Sequence, residues 1–186
     1  MCLSLIRLSD ATIAELRSTP AKALHFWLQD ELAAPAPVGF IGRLLGRKEE
    51  EHPKCSAPRE EADDAEIDKA WDALDYLISE QRKKTGLARF LTEGGIEIPE
   101  ELGYGGPRVF SSEEVREIAR LLEAVSQDTL RANYDPKKMN EEGVYPQIWV
   151  QGGADLFDYV VGNFVTMKSL VSDAATRGQG MMIVCS

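Results

Sequence analysis

The chain has 186 residues and a formal net charge of −10, and 44% of its residues are hydrophobic. This length suits one domain with a substantial core, and no apolar run approaches the roughly 18 residues that a membrane-spanning helix needs. We therefore expect a single soluble domain over residues 1–186 that does not cross a membrane and needs no disulfides to fold.

The N-terminus and the cysteines indicate a cytoplasmic protein. Residues 1–8 lack the charged start, long apolar stretch and cleavage site of a signal peptide. Cys2, Cys55 and Cys185 are odd in number and show no CxxC or CxxH spacing. This pattern argues against a zinc site and against a disulfide framework. We expect reduced thiols with structural roles, and no cofactor.

The negative charge is concentrated in residues 49–75, which hold eleven acidic residues against three basic ones. Clustered carboxylates oppose binding to nucleic acid, because phosphate contacts need clustered lysine and arginine. Two interpretations remain: the acidic stretch is a solvated linker, or it attracts a basic protein partner.

The first elements in the chain are a strand and two helices. Residues 3–8 suit a strand, because four of them are large aliphatic residues around Arg7. Ser9-Asp10 supplies a candidate N-cap for the helix that follows. Leu24, Trp27 and Leu28 then form the apolar stripe of a second helix. Residues 33–64 contain many prolines, glycines and glutamates, so we predict a long flexible loop there.

A helix over residues 67–78 has the clearest pattern in the chain. Its apolar positions fall on one face and predict the buried side: Ile67, Trp71, Leu74, Leu77 and Ile78. Three aspartates lie on a neighbouring face, namely Asp68, Asp72 and Asp75. They form either a solvated flank or an edge that binds arginine or a divalent metal. A metal site at this spacing needs carboxylates from a second element, so we predict no metal.

Residues 103–108 read Gly-Tyr-Gly-Gly-Pro-Arg. The segment lacks both the lysine of a P-loop and the spacing of a dinucleotide-binding motif, so it does not predict nucleotide binding. Gly105 and Gly106 indicate a backbone with positive φ or a close approach to a neighbour, and Pro107 restricts the exit toward Arg108.

The C-terminal half predicts helices and a closing strand. Ser111 and Glu114 form a capping box at the start of a helix, and Tyr145-Pro146 predicts a rigid turn. A long helix over about residues 156–177 ends before Gly178. Residues 181–185 then predict a buried strand that pairs with the N-terminal strand. The expected fold is a helix-dominated α+β domain with a small sheet that includes both terminal strands.

The motifs together resemble the YfbM-like family of small bacterial proteins. The resemblance rests on residues 68–71, Gly94-Gly95, residues 103–108 and residues 145–149, in that order. Two departures stand out: the family often has histidines where this chain has Asp72 and Asp75, and proline where it has Gly106. The family is uncharacterised, so the resemblance implies a fold and supplies no catalytic residues.

Two functional classes follow from these observations. The first is a non-catalytic binding protein, such as an immunity-type or regulatory inhibitor, that presents an acidic surface to a basic protein. It is favoured because the chain shows no recognisable pair of nucleophile and base, and its histidines are limited to His25 and His52.

The second class is a small-ligand binder or an enzyme. Arg108 would clamp an anionic group, because its planar guanidinium matches a carboxylate or a phosphate. The candidate site residues are Tyr104, Arg108, Trp71, Asp72, Asp75, Tyr145 and Trp149. The alternative for the same set is structural, with Arg108 paired internally and the aromatic side chains packed around it.

Overall fold

The computed structural model of the protein describes residues 1–28, 55 and 64–186. Its centre is an antiparallel sheet of five strands in the spatial order β2-β1-β5-β4-β3. The strands are β1 Leu3–Leu8, β2 Asp64–Glu66, β3 Ile96–Glu97, β4 Arg108–Phe110 and β5 Gly180–Cys185.

The two terminal strands pair with each other at the centre of this sheet. β1 and β5 run antiparallel in continuous register, from Leu3 opposite Cys185 to Leu8 opposite Gly180. The predicted pairing of the N-terminal and C-terminal strands is confirmed. Every residue of β1 is buried, because the strand is flanked on both edges and covered on both faces.

Seven α-helices lie in the described part of the chain, and none of them is long and apolar enough to cross a bilayer. Their content and the small sheet confirm the predicted helix-dominated α+β class. The helices are α1 Asp10–Ser18, α2 Lys22–Trp27, α3 Trp71–Ile78, α4 Ser112–Glu123, α5 Gln127–Asn133, α6 Pro136–Glu141 and α7 Gly153–Thr176. Two short 3-10 helices, Asp68–Ala70 and Gly86–Arg89, precede and follow α3.

The sheet separates two apolar cores, since successive side chains of a strand point to opposite faces. Leu5, Ile183 and Phe110 lie on the face covered by α3, α4 and α7. Ile6 and Met182 lie on the other face, with residues of α1 and α2. The larger core is therefore the helical one, and the elements of the candidate site surround it.

Short sequence signals predicted several helix ends correctly. The Ser111 hydroxyl accepts a bond from the Glu114 amide, and the Glu114 carboxylate accepts from the Ser111 amide at 2.8 Å, so the predicted capping box is present. Gly178 follows α7 with a φ of +64°, as its place after the last turn predicts. The helix itself starts at Gly153, three residues before the predicted start.

α3 differs from its sequence pattern because it is buried on all sides. Asp72 and Asp75 are buried with the apolar residues, so neither belongs to a solvated flank. Trp71, predicted as a core anchor, is instead half-buried at the first turn. Of the predicted flexible loop over residues 33–64, the structure describes residues 55 and 64, and His52 lies outside the described residues.

Candidate functional site

Arg108 begins β4 and ties a neighbouring loop to the sheet. Its Nη1 atom donates to the carbonyl oxygens of Phe90 at 3.1 Å, Glu93 at 2.7 Å and Gly94 at 3.0 Å, and its Nη2 atom donates to that of Leu91 at 2.7 Å. Burial lowers the pKa of Arg108, although a guanidinium remains charged at any pH at which the protein folds. The side chain acts as a clamp on residues 90–94.

The turn before Arg108 displays Tyr104 to solvent. The Tyr104 amide donates to the Cys185 carbonyl at 2.8 Å, and 67% of the residue is exposed. A Cβ on Gly103 would lie 2.7 Å from that same carbonyl oxygen, and one on Gly106 would collide with the carbonyl of Ile98. These glycines allow the turn to press against its neighbours, so its backbone anchors an exposed aromatic ring.

Tyr104, Arg108 and Trp71 line one cleft of about 180 Å³ at the end of the central strands. Three of the predicted site residues are therefore brought together. The remaining lining comes from Leu3, Leu91, Thr92, Gly106, Ile183 and Cys185. The Nε1 atom of Trp71 is buried without a hydrogen-bond acceptor among the described residues.

Tyr145 and Trp149 occupy different positions from one another. The Tyr145 ring stacks on Trp71, with 5.7 Å between the ring centroids and 25° between the planes. Tyr145 therefore packs against a residue that lines the cleft without lining it itself. Trp149 is almost completely buried, and its Nε1 atom donates to the Val144 carbonyl at 2.8 Å. Trp149 lines a separate groove and does not join the cleft.

Asp72 is held by an arginine and by the backbone of the Tyr145 turn. Its Oδ1 atom accepts from Arg82 Nη2 at 2.9 Å, and its Oδ2 atom accepts from the Tyr145 amide at 2.8 Å. Both carboxylate oxygens have partners, so Asp72 stabilises the contact between α3 and the turn.

Asp75 is held by a second such network of hydrogen bonds. Its carboxylate accepts from Arg89 Nε at 3.1 Å and from the Thr92 hydroxyl at 2.8 Å. Burial raises the pKa of Asp75, and the bonds from Thr92 and Arg89 act in the opposite direction. Thr92 also lines the cleft, so the carboxylate is linked to the cleft through one hydroxyl.

Asp68 has a third, separate set of partners. Its carboxylate accepts from the Cys2 thiol at 3.2 Å and from the Tyr159 hydroxyl at 2.9 Å. The bond from Cys2 lowers the pKa of Asp68 and raises that of the thiol. Among the described residues, the three aspartates of the predicted acidic face do not converge on a common site.

One group of side chains has the composition of a metal site. Ligand atoms of Cys2, Glu66 and Asp68 lie within 4.8 Å of one another. A thiolate and two carboxylates could hold a divalent ion, but the thiol must first lose its proton. Its raised pKa opposes this step.

Sequence reasoning missed the arginines that pair with the buried aspartates. Arg82 is the last residue of a left-handed turn in which Glu80, Gln81 and Arg82 have φ values of 53°, 62° and 62°. This conformation is rare for residues other than glycine, and it places Arg82 against Asp72. The pairs are ten and fourteen residues apart, so no helical spacing could have indicated them.

Comparisons with known proteins agree with this fold. A family model described as a domain of unknown function, DUF1877, matches residues 1–184. Among solved structures, YfbM from Escherichia coli, a protein of unknown function, matches with a TM-score of 0.63 and 16% identity over 98% of each chain. No curated protein matches the chain. The resemblance inferred from the motifs is confirmed, and at this identity the structural match shows the fold alone.

Proposed function

The chain belongs to the DUF1877 family, whose function is unknown, and we propose from its geometry that it is a non-catalytic binding protein with a basic protein partner. The observation that carries this proposal is Tyr104, which is 67% exposed on a turn whose backbone is bonded to the central strand β5. Tyrosine is enriched at protein interfaces and is among the residues, with tryptophan and arginine, that contribute most to binding there.

The segment around Tyr104 is acidic throughout. Residues 93–105, which we call the acidic turn, contain four glutamates and no lysine or arginine. Glu93 is paired with Arg89, so the glutamates available to a partner are Glu97, Glu100 and Glu101. Ile96, in the edge strand β3, is 45% exposed in the same segment. An apolar and aromatic centre with charges of one sign favours a protein partner of the opposite charge, and it disfavours nucleic acid.

The acidic turn replaces the surface that the sequence first indicated. In the acidic stretch of residues 49–75, Asp72 and Asp75 are buried and paired with arginines. They are not available to a partner. Most of the other members lie outside the described residues, so the proposal rests on residues 93–105.

The titration of the buried groups supports a role without catalysis. Nucleophilic side chains are activated by a lowered pKa or an adjacent base. Here the bond to Asp68 raises the pKa of the Cys2 thiol, and burial raises that of Cys185. Burial also raises the pKa of Tyr76 to about 12 and that of Tyr159 above its usual range.

His25 lies in α2, which covers the opposite face of the sheet from the cleft. We propose that the protein acts in the cytoplasm, where free thiols such as those of Cys2 and Cys185 persist.

The test is affinity capture with charge-reversed variants, read by quantitative mass spectrometry. The test variant carries Glu97→Lys, Glu100→Lys and Glu101→Lys. The matched control carries Glu117→Lys, Glu123→Lys and Glu141→Lys, which change the net charge equally on other exposed surfaces.

A basic protein captured by the wild type should be lost from the test variant and from Tyr104→Ala, but retained by the control. Its capture should also weaken as salt rises, because surface charges are screened. The proposal fails if the test and control variants lose the same proteins, or if Tyr104→Ala captures as well as the wild type.

A second candidate function is the binding of a small anionic ligand in the cleft. It is favoured by the buried, unpartnered Nε1 of Trp71 and by Arg108, which forms no ion pair among the described residues. Titration with benzoate, read by tryptophan fluorescence, tests it. Binding that Trp71→Phe weakens and Trp27→Phe does not would favour this function. If the tryptophan fluorescence shows no saturable change, the cleft does not bind simple carboxylates.

A further inference from the structure

A second concave surface lies between α5, α6 and the turn that precedes α7. It has a volume of about 470 Å³, and we call it the Tyr134 groove. It is lined by Arg131, Tyr134, Asp135, Pro136, Lys137, Trp149, Val150 and Gly153. None of these residues contributes to the acidic turn or to the cleft, so a role for this groove does not depend on the proposed function.

The wall of the groove is aromatic and held in place by packing. The Tyr134 ring meets Trp149 edge to face, at 6.5 Å between centroids and 89° between planes. It also contacts Phe157 at 5.1 Å and 66°. Rings in such edge-to-face contacts are fixed by several neighbours. The groove is therefore a preformed feature of the helical side of the domain.

The Tyr134 hydroxyl has an unmet bonding requirement. Its oxygen is buried and has no hydrogen-bond partner among the described residues. Burial raises the pKa of Tyr134, so the hydroxyl keeps its proton and remains a donor at neutral pH. A buried donor without an acceptor is unfavourable, so the wall of the groove carries one polar group that the described residues leave unsatisfied.

The charges along the groove favour an acidic ligand. The Arg131 guanidinium lies 3.5 Å from the centroid of the Phe157 ring, and Lys137 is exposed. Neither forms an ion pair with a described residue. The Asp135 carboxylate accepts from the amides of Lys137 and Lys138 at the start of α6. Its negative charge is therefore stabilised by the N-terminus of the helix and does not pair with either cation. Arg131 and Lys137 outnumber Asp135 on this groove, so its local charge is positive in a chain with a net charge of −10.

Exposed apolar side chains continue the groove outward. Val150, which lines it, is 52% exposed, and Ile148 nearby in the chain is 41% exposed. Exposed apolar groups beside a concave aromatic wall are typical of interaction sites. They would contact an apolar side chain and exclude water from it.

We propose that the Tyr134 groove docks a peptide segment of a partner protein in which an apolar side chain is flanked by carboxylates. The apolar side chain packs between Val150 and the aromatic wall. A carboxylate of the peptide lies within the field of the Arg131 guanidinium and the Lys137 ammonium. The charge preference is opposite to that of the acidic turn, so the two surfaces recognise different partners or different parts of one partner.

The experiment is an NMR titration of the isotopically labelled full chain with two acetylated, amidated tetrapeptides. One has the sequence Glu-Leu-Phe-Glu, and the matched peptide has Lys-Leu-Phe-Lys. The acidic peptide should shift the amide signals of residues 131–137 and 148–153 and saturate with a dissociation constant of about 1 mM or below. The basic peptide should bind roughly tenfold more weakly, since both unpaired cations would repel it.

Two single substitutions locate the interaction. Lys137→Glu reverses a groove charge at the start of α6, where an acidic residue also suits the helix. It should weaken the acidic peptide by roughly fivefold. Lys83→Glu reverses an equally exposed lysine outside the groove and should leave the affinity unchanged. Val150→Asp should weaken binding further, because it places an anion against the peptide.

Several outcomes would overturn the proposal. These are the absence of saturable shifts, equal affinity for both peptides, shifts that map outside the groove, and equal effects of Lys137→Glu and Lys83→Glu. Sedimentation of the wild type and of Val150→Asp completes the test. If Val150→Asp dissociates a dimer, the groove holds a second copy of this chain and the partner-peptide proposal is wrong.

Discussion

The guanidinium of Arg89 donates from its Nε atom to the fully buried carboxylate of Asp75 at 3.1 Å. Arg82 donates from its Nη2 atom to Asp72 at 2.9 Å, one helical turn earlier on α3. A buried carboxylate that loses its partner is left uncompensated, which is costly. The acidic side of α3 is therefore an internal seam between this helix and the segments that follow it.

Arg89→Ala should destabilise the fold strongly. It leaves Asp75 without its charge partner, and breaking a buried pair from one side typically costs about 3–5 kcal/mol. Because Arg89 is partly exposed, we expect the free energy of unfolding to fall by about 3 kcal/mol. Urea denaturation followed by circular dichroism measures it. Arg116→Ala, an exposed arginine of α4, is the control and should change stability by less than about 0.5 kcal/mol.

Asp75→Asn and Asp68→Asn should show opposite pH dependence. Burial raises the pKa of Asp75 in the folded protein, so its contribution to stability is full below its unfolded pKa and is lost as pH rises through the folded value. The bond from Cys2 lowers the pKa of Asp68, so its contribution is present above the unfolded pKa and is lost as pH falls through the folded value.

Unfolding free energies measured from about pH 3 to about pH 7 decide this prediction. The destabilisation by Asp75→Asn should shrink as pH rises, whereas that by Asp68→Asn should grow. Parallel trends for the two variants would show that at least one of these environments is misassigned.

Arg108→Lys should loosen the loop over residues 90–94 without changing the net charge. Lysine cannot span the four carbonyl oxygens that the guanidinium reaches. We expect a loss of about 1.5–3 kcal/mol, the range for hydrogen bonds to a charged group. Hydrogen exchange at residues 90–94 should accelerate, whereas Arg120→Lys, on an exposed face of α4, should leave it unchanged.

Gly103→Ala and Gly162→Ala should change stability in opposite directions. Gly103 has a φ of +126° and a neighbouring carbonyl oxygen where a Cβ would be placed. Alanine there should cost about 1–3 kcal/mol. Gly162 lies inside α7 with open space around it, so alanine should stabilise the helix by about 0.5–1 kcal/mol. Thermal unfolding of both variants measures the two effects, and a stabilised Gly103→Ala would contradict the close approach of this turn to β5.

Local patterns in the chain were enough to predict most of the elements. The capping box at Ser111, the end of α7 before Gly178 and the pairing of β1 with β5 all follow from short-range signals or from buried apolar runs. The motif order also predicted the family that the whole-chain match supports. Each of these depends on interactions between residues close in sequence, or on hydrophobic runs that only a central strand accommodates.

The site was only partly predictable for the opposite reason. Trp71, Tyr104 and Arg108 do line one cleft, but Trp149 lies elsewhere and the three aspartates have separate partners. Helical spacing placed these aspartates on one face but could not show that packing would bury two of them. Their arginine partners come from turns, whose direction depends on the surrounding structure.

The sequence by itself determined the class of fold, the pairing of the terminal strands and the family, because those follow from hydrophobic periodicity, capping and the order of the motifs. The tertiary structure alone decided which charges are available at the surface. It enclosed Asp72 and Asp75 with arginines, assigned Arg108 to backbone carbonyls, and left Tyr104 exposed among glutamates. Burial and pairing depend on contacts between distant segments, and one-dimensional spacing carries no record of those contacts.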